Sequence, residues 1–365
     1  MSLRVLITNF AMGSGGTVTY ARDLALELQR RGHSPAVFSL TNGSVPAELR
    51  AAGILVTDRL NRLEAPDVIH AQWHAPTMLA LRHWPTVPAV HICHDHVSPH
   101  DRTPRNKRIR RHFGVSRLCV QRLVDEGVPV DRVALLPNFV DTARFRPRAP
   151  LPKQPRRALV FSNYASEESH LPAVREACLA AGLDLDVAGV GVGKVLEEPE
   201  HVLGSYDIVF AKAKAAIEAM AVGCAVVLCD YAGVGPMVTA AQFDWLRDRN
   251  FGFEALTEPL APEPILREIA RYDAADATRV RDLIRARSGL EGTVDRLVAT
   301  YLEVIAEHRA AVPSREFRRI DAGAWRERSA LRLHWAWMAI PRRQRERIKR
   351  LPGLGRLLGA VRRRM

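Results

Sequence analysis

The fold is decided by residues 207–239, which read Asp207-Ile-Val-Phe-Ala-Lys-Ala-Lys-Ala-Ala-Ile-Glu218-Ala-Met-Ala-Val-Gly223-Cys-Ala-Val-Val-Leu-Cys-Asp230-Tyr-Ala-Gly233-Val-Gly235-Pro-Met-Val-Thr239. The order is an apolar strand, a short basic loop, an Ala-rich helix with one acid, a second apolar strand and a glycine loop. It predicts a βαβ unit in which a helix N-terminus and a glycine loop face the same crevice. Because a helix N-terminus attracts anions and glycines let a ligand approach the backbone, the crevice is predicted to bind an anionic ligand.

Short apolar runs alternate with helical segments along most of the chain. They are predicted as strands at 4–10, 36–40, 68–71, 89–93, 113–116, 134–137, 158–163, 185–189, 208–211 and 225–230, with residues 262–309 read as helical. Residues 147–157 are rich in proline and lack periodicity, which indicates a linker. We therefore predict an α/β fold of two doubly wound domains, 1–150 and 151–312, facing a cleft, with a tail at 313–365.

The composition of the 365 residues is that of a globular protein, with 47% hydrophobic and 25% charged residues. No segment approaches the roughly 20 apolar residues that a membrane span needs. The N-terminus enters a strand without a signal pattern, so we expect a cytoplasmic location. The five cysteines are scattered, and the histidines lack the spacing of a metal site. Free thiols are therefore predicted, with neither a metal nor a cofactor.

The net charge of +13 is concentrated in the tail. Residues 313–365 hold 16 basic and 4 acidic residues, whereas the other 312 residues hold 37 and 36. Within the tail, residues 325–340 and 354–361 place apolar side chains, including tryptophans, at helical spacing among arginines. This pattern predicts an amphipathic helix on an anionic membrane surface. A helix packed on the body or in an oligomer contact, and an arm that binds nucleic acid, are the alternatives.

Candidate ligand-binding residues in the first domain follow predicted strands. The loop around Gly15 and Gly16 lacks the G-x-G-x-x-G spacing, but it joins a strand to a helix and suits a phosphate or a sugar; a simple tight turn is the alternative. Other polar side chains follow strands 68–71 and 89–93, where they could contact a sugar or an oxyanion, although core packing would also explain them. They are Gln72, Trp73, His74, His94 and Asp95.

Candidate residues in the second domain surround the helix that carries Glu218. Lys212 and Lys214 stand at its start, where cations oppose the helix macrodipole unless an anion lies between them. This placement favours a phosphate ligand, with solvated surface lysines as the alternative. Glu218 could accept hydrogen bonds from a sugar or ribose diol, and Gly233 and Gly235 form the glycine loop that faces the same crevice.

Three segments resemble the retaining, nucleotide-sugar-dependent glycosyltransferases of the GT-B fold, in the group-one transferase set. They are Gly15-Gly16 with the helix ending Arg31-Gly32-His33, the stretch Val133-Ala-Leu-Leu-Pro137-Asn138-Phe-Val-Asp141-Thr-Ala-Arg-Phe145-Arg-Pro147, and Glu218-Ala-Met-Ala-Val-Gly223-Cys-Ala-Val-Val. The resemblance covers about residues 3–310. It implies a nucleotide-sugar donor, no metal, a contact of Glu218 with the nucleotide ribose, a glycine loop near the diphosphate, and His94 facing the donor sugar.

The chain departs from that family at two places. The first acid of the family motif, eight residues before Glu218, falls on Phe210, and the basic residues expected after the strand at 158–163 are replaced by Ser162-Asn163-Tyr164. We therefore predict that Lys212 and Lys214 supply the charge for the diphosphate, while His94 and Asp95 serve catalysis and Gln72, Trp73 and His74 face the acceptor.

The expected function is sugar transfer to a glycan or lipid-linked acceptor in bacterial surface polysaccharide or glycolipid synthesis, by a cytoplasmic protein held at the inner face of the plasma membrane. Two alternatives stay open, and the departures at Phe210 and at residues 162–164 favour the first of them. They are a non-catalytic protein that binds a nucleotide or a glycan, and a sugar-nucleotide epimerase of the same architecture.

Overall fold

A computed structural model describes residues 2–13 and 15–311. The predicted membrane-binding tail lies outside these residues. The first sheet has seven parallel strands in the order β3-β2-β1-β4-β5-β6-β7. The strands are β1 (Arg4–Met12), β2 (Ser34–Asn42), β3 (Val56–Thr57), β4 (Val68–Gln72), β5 (Ala89–Cys93), β6 (Ile109–Gly114) and β7 (Val133–Leu135), with helices α1 (Gly16–Arg30), α2 (Ala47–Ala51), α3 (His74–His83) and α4 (Arg117–Asp125).

The second sheet has five strands in the order β12-β11-β10-β8-β9. They are β8 (Arg157–Phe161), β9 (Asp184–Ala188), β10 (Ile208–Ala211), β11 (Ala225–Asp230) and β12 (Gly233–Met237). The helices are α5 (Leu171–Ala180), α6 (Pro199–Val202), α7 (Ala213–Val222), α8 (Phe243–Asp248), α9 (Pro262–Ile269), α10 (Ala274–Arg287) and α11 (Leu290–Ala311). Only the edge strand β12 runs antiparallel to its neighbour.

Both sheets are covered on their two faces, which is why the central strands are mostly apolar and buried along their whole length. Every residue of β4, β5, β10 and β11 is buried. In the second sheet, α7 and α10 contribute to one core and α5 and α9 to the other. The predicted α/β fold is therefore confirmed, because continuous apolar runs are typical of parallel strands buried on both sides.

The last described helix returns to the first sheet. Leu297, Tyr301 and Val304 of α11 are fully buried in the same core as α1 and β1. The sequence assigned this helix to the range 151–312. That domain boundary stays a prediction, but α11 packs on the first sheet. None of the helices within the described residues is long and apolar enough to cross a membrane.

The local expectations fail at two points. The glycine loop predicted at Gly233 and Gly235 is instead strand β12, which pairs with β11. The strand predicted at 113–116 is instead β6, which begins at Ile109 and ends at Gly114. The prediction missed its start because Arg110 and Arg111 interrupt the apolar pattern. In both cases the pairing of the strand with its neighbour outweighs the local signal.

Candidate functional site

The carboxyl ends of the two sheets face each other across a cleft, where the glycine loop before α1 meets the start of α7. A methyl group placed on Gly16 would lie 4.0 Å from the Cβ of Lys214. The carbonyl of Gly15 accepts hydrogen bonds from the N–H groups of Val18 and Thr19 and so begins α1. The structure therefore places Gly15 and Gly16 beside the start of the Glu218 helix.

Lys214 is buried and is already neutralised within the protein. Its ammonium lies 3.0 Å from Asp23 Oδ2 on α1, donates to the carbonyl of Phe139 at 2.8 Å, and lies 3.7 Å from Glu218 Oε1. Asp23 also pairs with Arg22, at 2.6 Å. Lys214 thus joins the two domains, and its charge is balanced without a phosphate.

Glu218 lies in this buried network with only 5% of its surface exposed. Burial raises its pKa from 4.5 to about 7, and the charge of Lys214 partly opposes the rise. A carboxyl group with that pKa exchanges a proton near neutrality. The predicted contact between Glu218 and a ribose stays a prediction. Because the side chain is buried, a ligand would have to reach into the core of this network to make that contact.

Lys212 has a different carboxylate partner, Asp230, at the end of β11. The ammonium lies 3.2 Å from Asp230 Oδ2 and 4.4 Å from the ring centre of Phe253. These carboxylates supply the anions that offset the two lysines at the start of α7. The two lysines therefore do not require a phosphate ligand to offset the helix macrodipole. A diphosphate could still compete with Asp230 for Lys212.

The backbone around the start of α7 is strained. Ala213, Asn250 and Phe251 have φ angles of 50°, 56° and 49°. The N–H of Ala213 donates to the carbonyl of Phe251 at 2.8 Å, and Asn250 Oδ1 accepts from the N–H of Asn138 at 3.1 Å. Left-handed residues other than glycine persist where surrounding contacts hold them, and they are frequent at functional sites. Of these three residues only Asn250 is of a type enriched in this conformation, so the sequence did not indicate Ala213 or Phe251.

His94 and Asp95 follow β5 as predicted, and both depend on Asp101, which the sequence analysis missed. Their backbone N–H groups donate to Asp101 Oδ2 at 2.6 and 2.7 Å. Burial raises the pKa of Asp101 well above its usual range despite these two hydrogen bonds. Asp95 Oδ1 in turn accepts from the N–H groups of Val97 and Ser98. Asp95 therefore shapes the loop, whereas the His94 ring packs against the ring of Tyr20.

The His94 imidazole belongs to a group of buried, uncharged polar side chains. Burial lowers its pKa to about 3, and its ring lies 4.9 Å from that of Tyr20. Within the described residues, several buried polar atoms have no hydrogen-bond partner, namely Tyr20 Oη, His70 Nε2, Gln72 Oε1 and Nε2, Trp73 Nε1 and His94 Nε2. Since buried polar atoms are normally paired, this group is suited to a ligand with neutral hydroxyls.

The three predicted acceptor-side residues lie at the junction of β4 and α3. Gln72 is fully buried and its N–H donates to Thr8 Oγ1 at 2.9 Å. Trp73 has a φ of 64° and its ring lies 5.8 Å from Phe10. Burial lowers the pKa of His74 to about 4. Their assignment to an acceptor stays a prediction.

The two predicted donor-site glycines have a structural reason of their own. A methyl group on Gly233 would lie 2.8 Å from the carbonyl oxygen of Glu258, and one on Gly235 would lie 2.4 Å from that of Ala255. Only glycine allows this close backbone approach. Phe210, at the position of the missing acid, is fully buried in the core that α5 and α9 form with the second sheet.

This architecture defines the class of the protein: it has the GT-B fold of glycosyltransferases. Among solved structures, the chain resembles a glycosyltransferase from Rickettsia africae (16% identity, TM-score 0.60, 83% of this chain and 99% of that one). It also resembles Anabaena HepE in complex with UDP (14% identity, TM-score 0.61, 82% of this chain and 100% of that one). A third similar structure is that of a Listeria monocytogenes protein assigned as UDP-N-acetylglucosamine 2-epimerase (14% identity, TM-score 0.51, 88% of this chain and 100% of that one).

At the level of sequence, residues 14–144 match the model of Glycosyltransferase Family 4. No curated protein matches the chain significantly. The resemblance drawn from the motifs is therefore confirmed: residues 14–144 match a glycosyltransferase family model, and the described chain has the GT-B fold. Among the described residues, no three His, Cys, Asp or Glu side chains converge as metal ligands.

Proposed function

We propose that the protein is a glycosyltransferase that moves a sugar from a nucleotide-sugar donor to a glycan or lipid-linked acceptor, with retention and without a metal. The observation that carries the proposal is the meeting of the Gly15–Gly16 loop with the start of α7, one turn before Glu218. A glycine loop and a helix N-terminus on opposite sides of a cleft can enclose a diphosphate. HepE, which shares the fold, was solved with UDP and with UDP-glucose.

The residues divide into a donor side and a reaction side. In the proposal, Gly15, Gly16, Lys212 and Glu218 hold the donor, and His94 directs a hydroxyl group of the reacting sugar. A neutral imidazole can donate or accept a hydrogen bond but carries no charge, so its role is positioning. Gln72, Trp73 and His74 then line the acceptor side.

A specific observation favours a second candidate, a non-catalytic protein that binds a nucleotide or a glycan. Both lysines at the start of α7 are in ion pairs, and Phe210 replaces an acid in the core. Such a protein would keep the cleft but lack part of the charge that stabilises a leaving diphosphate. An epimerase is the third candidate, because a protein assigned to that activity shares the fold.

Incubation of the purified full-length chain with UDP-, GDP-, ADP- and dTDP-hexoses separates the candidates. Ligand binding raises the melting temperature by mass action, so a thermal-shift screen identifies the donor first. Release of the nucleoside diphosphate, undiminished by EDTA, supports a metal-independent transferase. Interconversion of the donor sugar without release indicates an epimerase, and binding without either reaction indicates a binding protein. Binding of no nucleotide sugar overturns the proposal.

We also propose that residues 313–365 bring the protein to the cytoplasmic face of the bacterial plasma membrane, where a lipid-linked acceptor for surface polysaccharide or glycolipid would lie. This rests on the charge and apolar spacing of the segment alone. The test is flotation with vesicles that contain anionic lipid, for the full chain and for a chain ending at residue 312. Flotation of the full chain alone supports the proposal, and equal behaviour of the two chains overturns it.

A further inference from the structure

Three aromatic side chains of the second domain form a surface at the cleft that the sequence analysis did not identify. The rings of Tyr164 and Tyr231 lie 5.2 Å apart, and those of Tyr231 and Phe253 lie 5.8 Å apart. Tyr164 follows β8 and Tyr231 follows β11, so both project from the edge of the sheet that faces the first domain. We call Tyr164, Tyr231 and Phe253 the aromatic corner.

The aromatic corner is open to solvent but connected to the proposed site on both sides. Tyr164 and Tyr231 are 57% and 47% exposed. His96, two residues after His94, lies 5.7 Å from the ring of Phe253 and so reaches across from the first domain. Lys212, directly before α7, lies 5.1 Å from the ring of Tyr164. A ligand attached to a diphosphate at the start of α7 would therefore reach the aromatic corner.

We infer that the aromatic corner, with the Lys212–Asp230 ion pair beside it, is the subsite that holds the sugar ring of the donor. The apolar C–H face of a pyranose packs on the tyrosine rings, and its hydroxyls hydrogen-bond to the Lys212 ammonium, which the buried Asp230 carboxylate holds in place. This inference rests on the proposed function. None of the motif residues is a candidate for this sugar subsite, because the position of the first motif acid is taken by Phe210, which is buried in the core.

The geometry favours a sugar over the other ligands of such a donor. The rings of Tyr164 and Tyr231 are inclined by 57°, so they cannot enclose a flat base between parallel faces. The charge of Lys212 is balanced by Asp230, which suits a neutral group with hydroxyls better than a phosphate.

The experiment compares nucleoside diphosphates with the matching nucleotide sugars, by calorimetry on the full chain. The probes are UDP, GDP, ADP and dTDP and their hexose conjugates, and the variants are Tyr164→Ala, Tyr231→Ala and Tyr164→Phe. Stacking of one ring on a tyrosine is worth about tenfold in affinity. We expect either alanine variant to weaken binding of the nucleotide sugar about tenfold and to leave the diphosphate unchanged, with Tyr164→Phe close to wild type.

The matched control is Trp245→Ala. Trp245 lies on α8 and is 49% exposed, close to the 47% of Tyr231, but it packs against Arg249 and is not part of the aromatic corner. It should leave both affinities unchanged. Equal loss of diphosphate and nucleotide-sugar affinity in the tyrosine variants, or no loss of either, overturns the subsite while the proposed function stands. Failure of every diphosphate and conjugate to bind wild type overturns the proposed function itself, and the subsite with it.

Discussion

Lys214 of α7 and Asp23 of α1 form an ion pair of 3.0 Å that crosses from the second domain to the first. Both side chains are buried, and they lie 191 residues apart in the sequence. Arg22, Glu218 and the carbonyl of Phe139 complete their surroundings. This pair holds the two sides of the cleft together at the point where the donor is proposed to bind.

Replacement of Lys214 by methionine should destabilise the protein strongly. The variant leaves Asp23 buried with one cation fewer, and breaking a buried pair in this way costs about 3–5 kcal/mol. Urea unfolding followed by circular dichroism measures the change. Lys153→Met, at an exposed position, is the control and should alter the free energy of unfolding by less than about 0.5 kcal/mol. The double variant Asp23→Asn with Lys214→Met should recover part of the loss. A single Lys214 variant as stable as wild type would show that the pair contributes nothing.

Glu218 should make the stability of the protein depend on pH. Because burial raises its pKa from 4.5 to about 7, the folded protein retains a proton that the unfolded chain releases. The stability that this group contributes is complete below pH 4.5 and is lost as the pH rises through about 7. Glu218→Gln stays neutral, so the free energy of unfolding of wild type relative to this variant should fall by on the order of 3 kcal/mol across that range.

The matched control for Glu218 is Glu303→Gln, at an exposed position on α11. Its unfolding should follow wild type at every pH. Asp23, Lys214, Arg22 and Arg144 all act on the Glu218 carboxyl. Measurements of the Lys214→Met variant at the same pH values therefore test whether the pH range in which stability is lost moves upward when this opposing cation is removed. Parallel pH curves for wild type and Glu218→Gln would refute the prediction.

His94 should remain neutral throughout the physiological pH range. Burial lowers its pKa to about 3, so its ring protons should show no chemical-shift titration near neutrality in the folded protein. In urea the same imidazole should titrate near the ordinary value of about 6.5. Since the unfolded chain binds this proton first, stability should fall as the pH decreases below about 6.5, and less steeply in His94→Gln. A titration of His94 near neutrality in the folded state would contradict this account.

Two glycines should respond to alanine in opposite directions. A methyl group on Gly235 would meet the carbonyl oxygen of Ala255 at 2.4 Å, so Gly235→Ala should destabilise by about 1–3 kcal/mol. Gly292 lies within α11, and a methyl group added to it would have no neighbour within 4 Å beyond the backbone of its own helix. Gly292→Ala should therefore stabilise by about 0.5–1 kcal/mol, because alanine favours a helix. Thermal unfolding of both variants measures the contrast, and a tolerated alanine at Gly235 would show that β12 can move away from its neighbour.

Local patterns determined most of the strands and helices. The unit at 207–230 appears as β10, α7 and β11 with almost the predicted bounds, because an apolar run, an Ala-rich segment and a glycine stop act over neighbouring residues. The glycine of this unit, Gly223, has a φ of 105° at the end of α7, as a helix-ending glycine should. Two GT-B domains, and the placement of candidate residues at strand ends, could therefore be predicted.

Only the tertiary structure decided what those candidate residues contact. The sequence places Lys212 and Lys214 at a helix start, but their carboxylate partners, Asp230 and Asp23, come from other elements. The same holds for Asp101, which orders the loop after β5, and for the aromatic corner, whose members follow different strands. Secondary structure follows from interactions between near neighbours in the chain. The charge and shape of the site follow from residues distant in the sequence that only tertiary packing, within each domain and between the two, brings together.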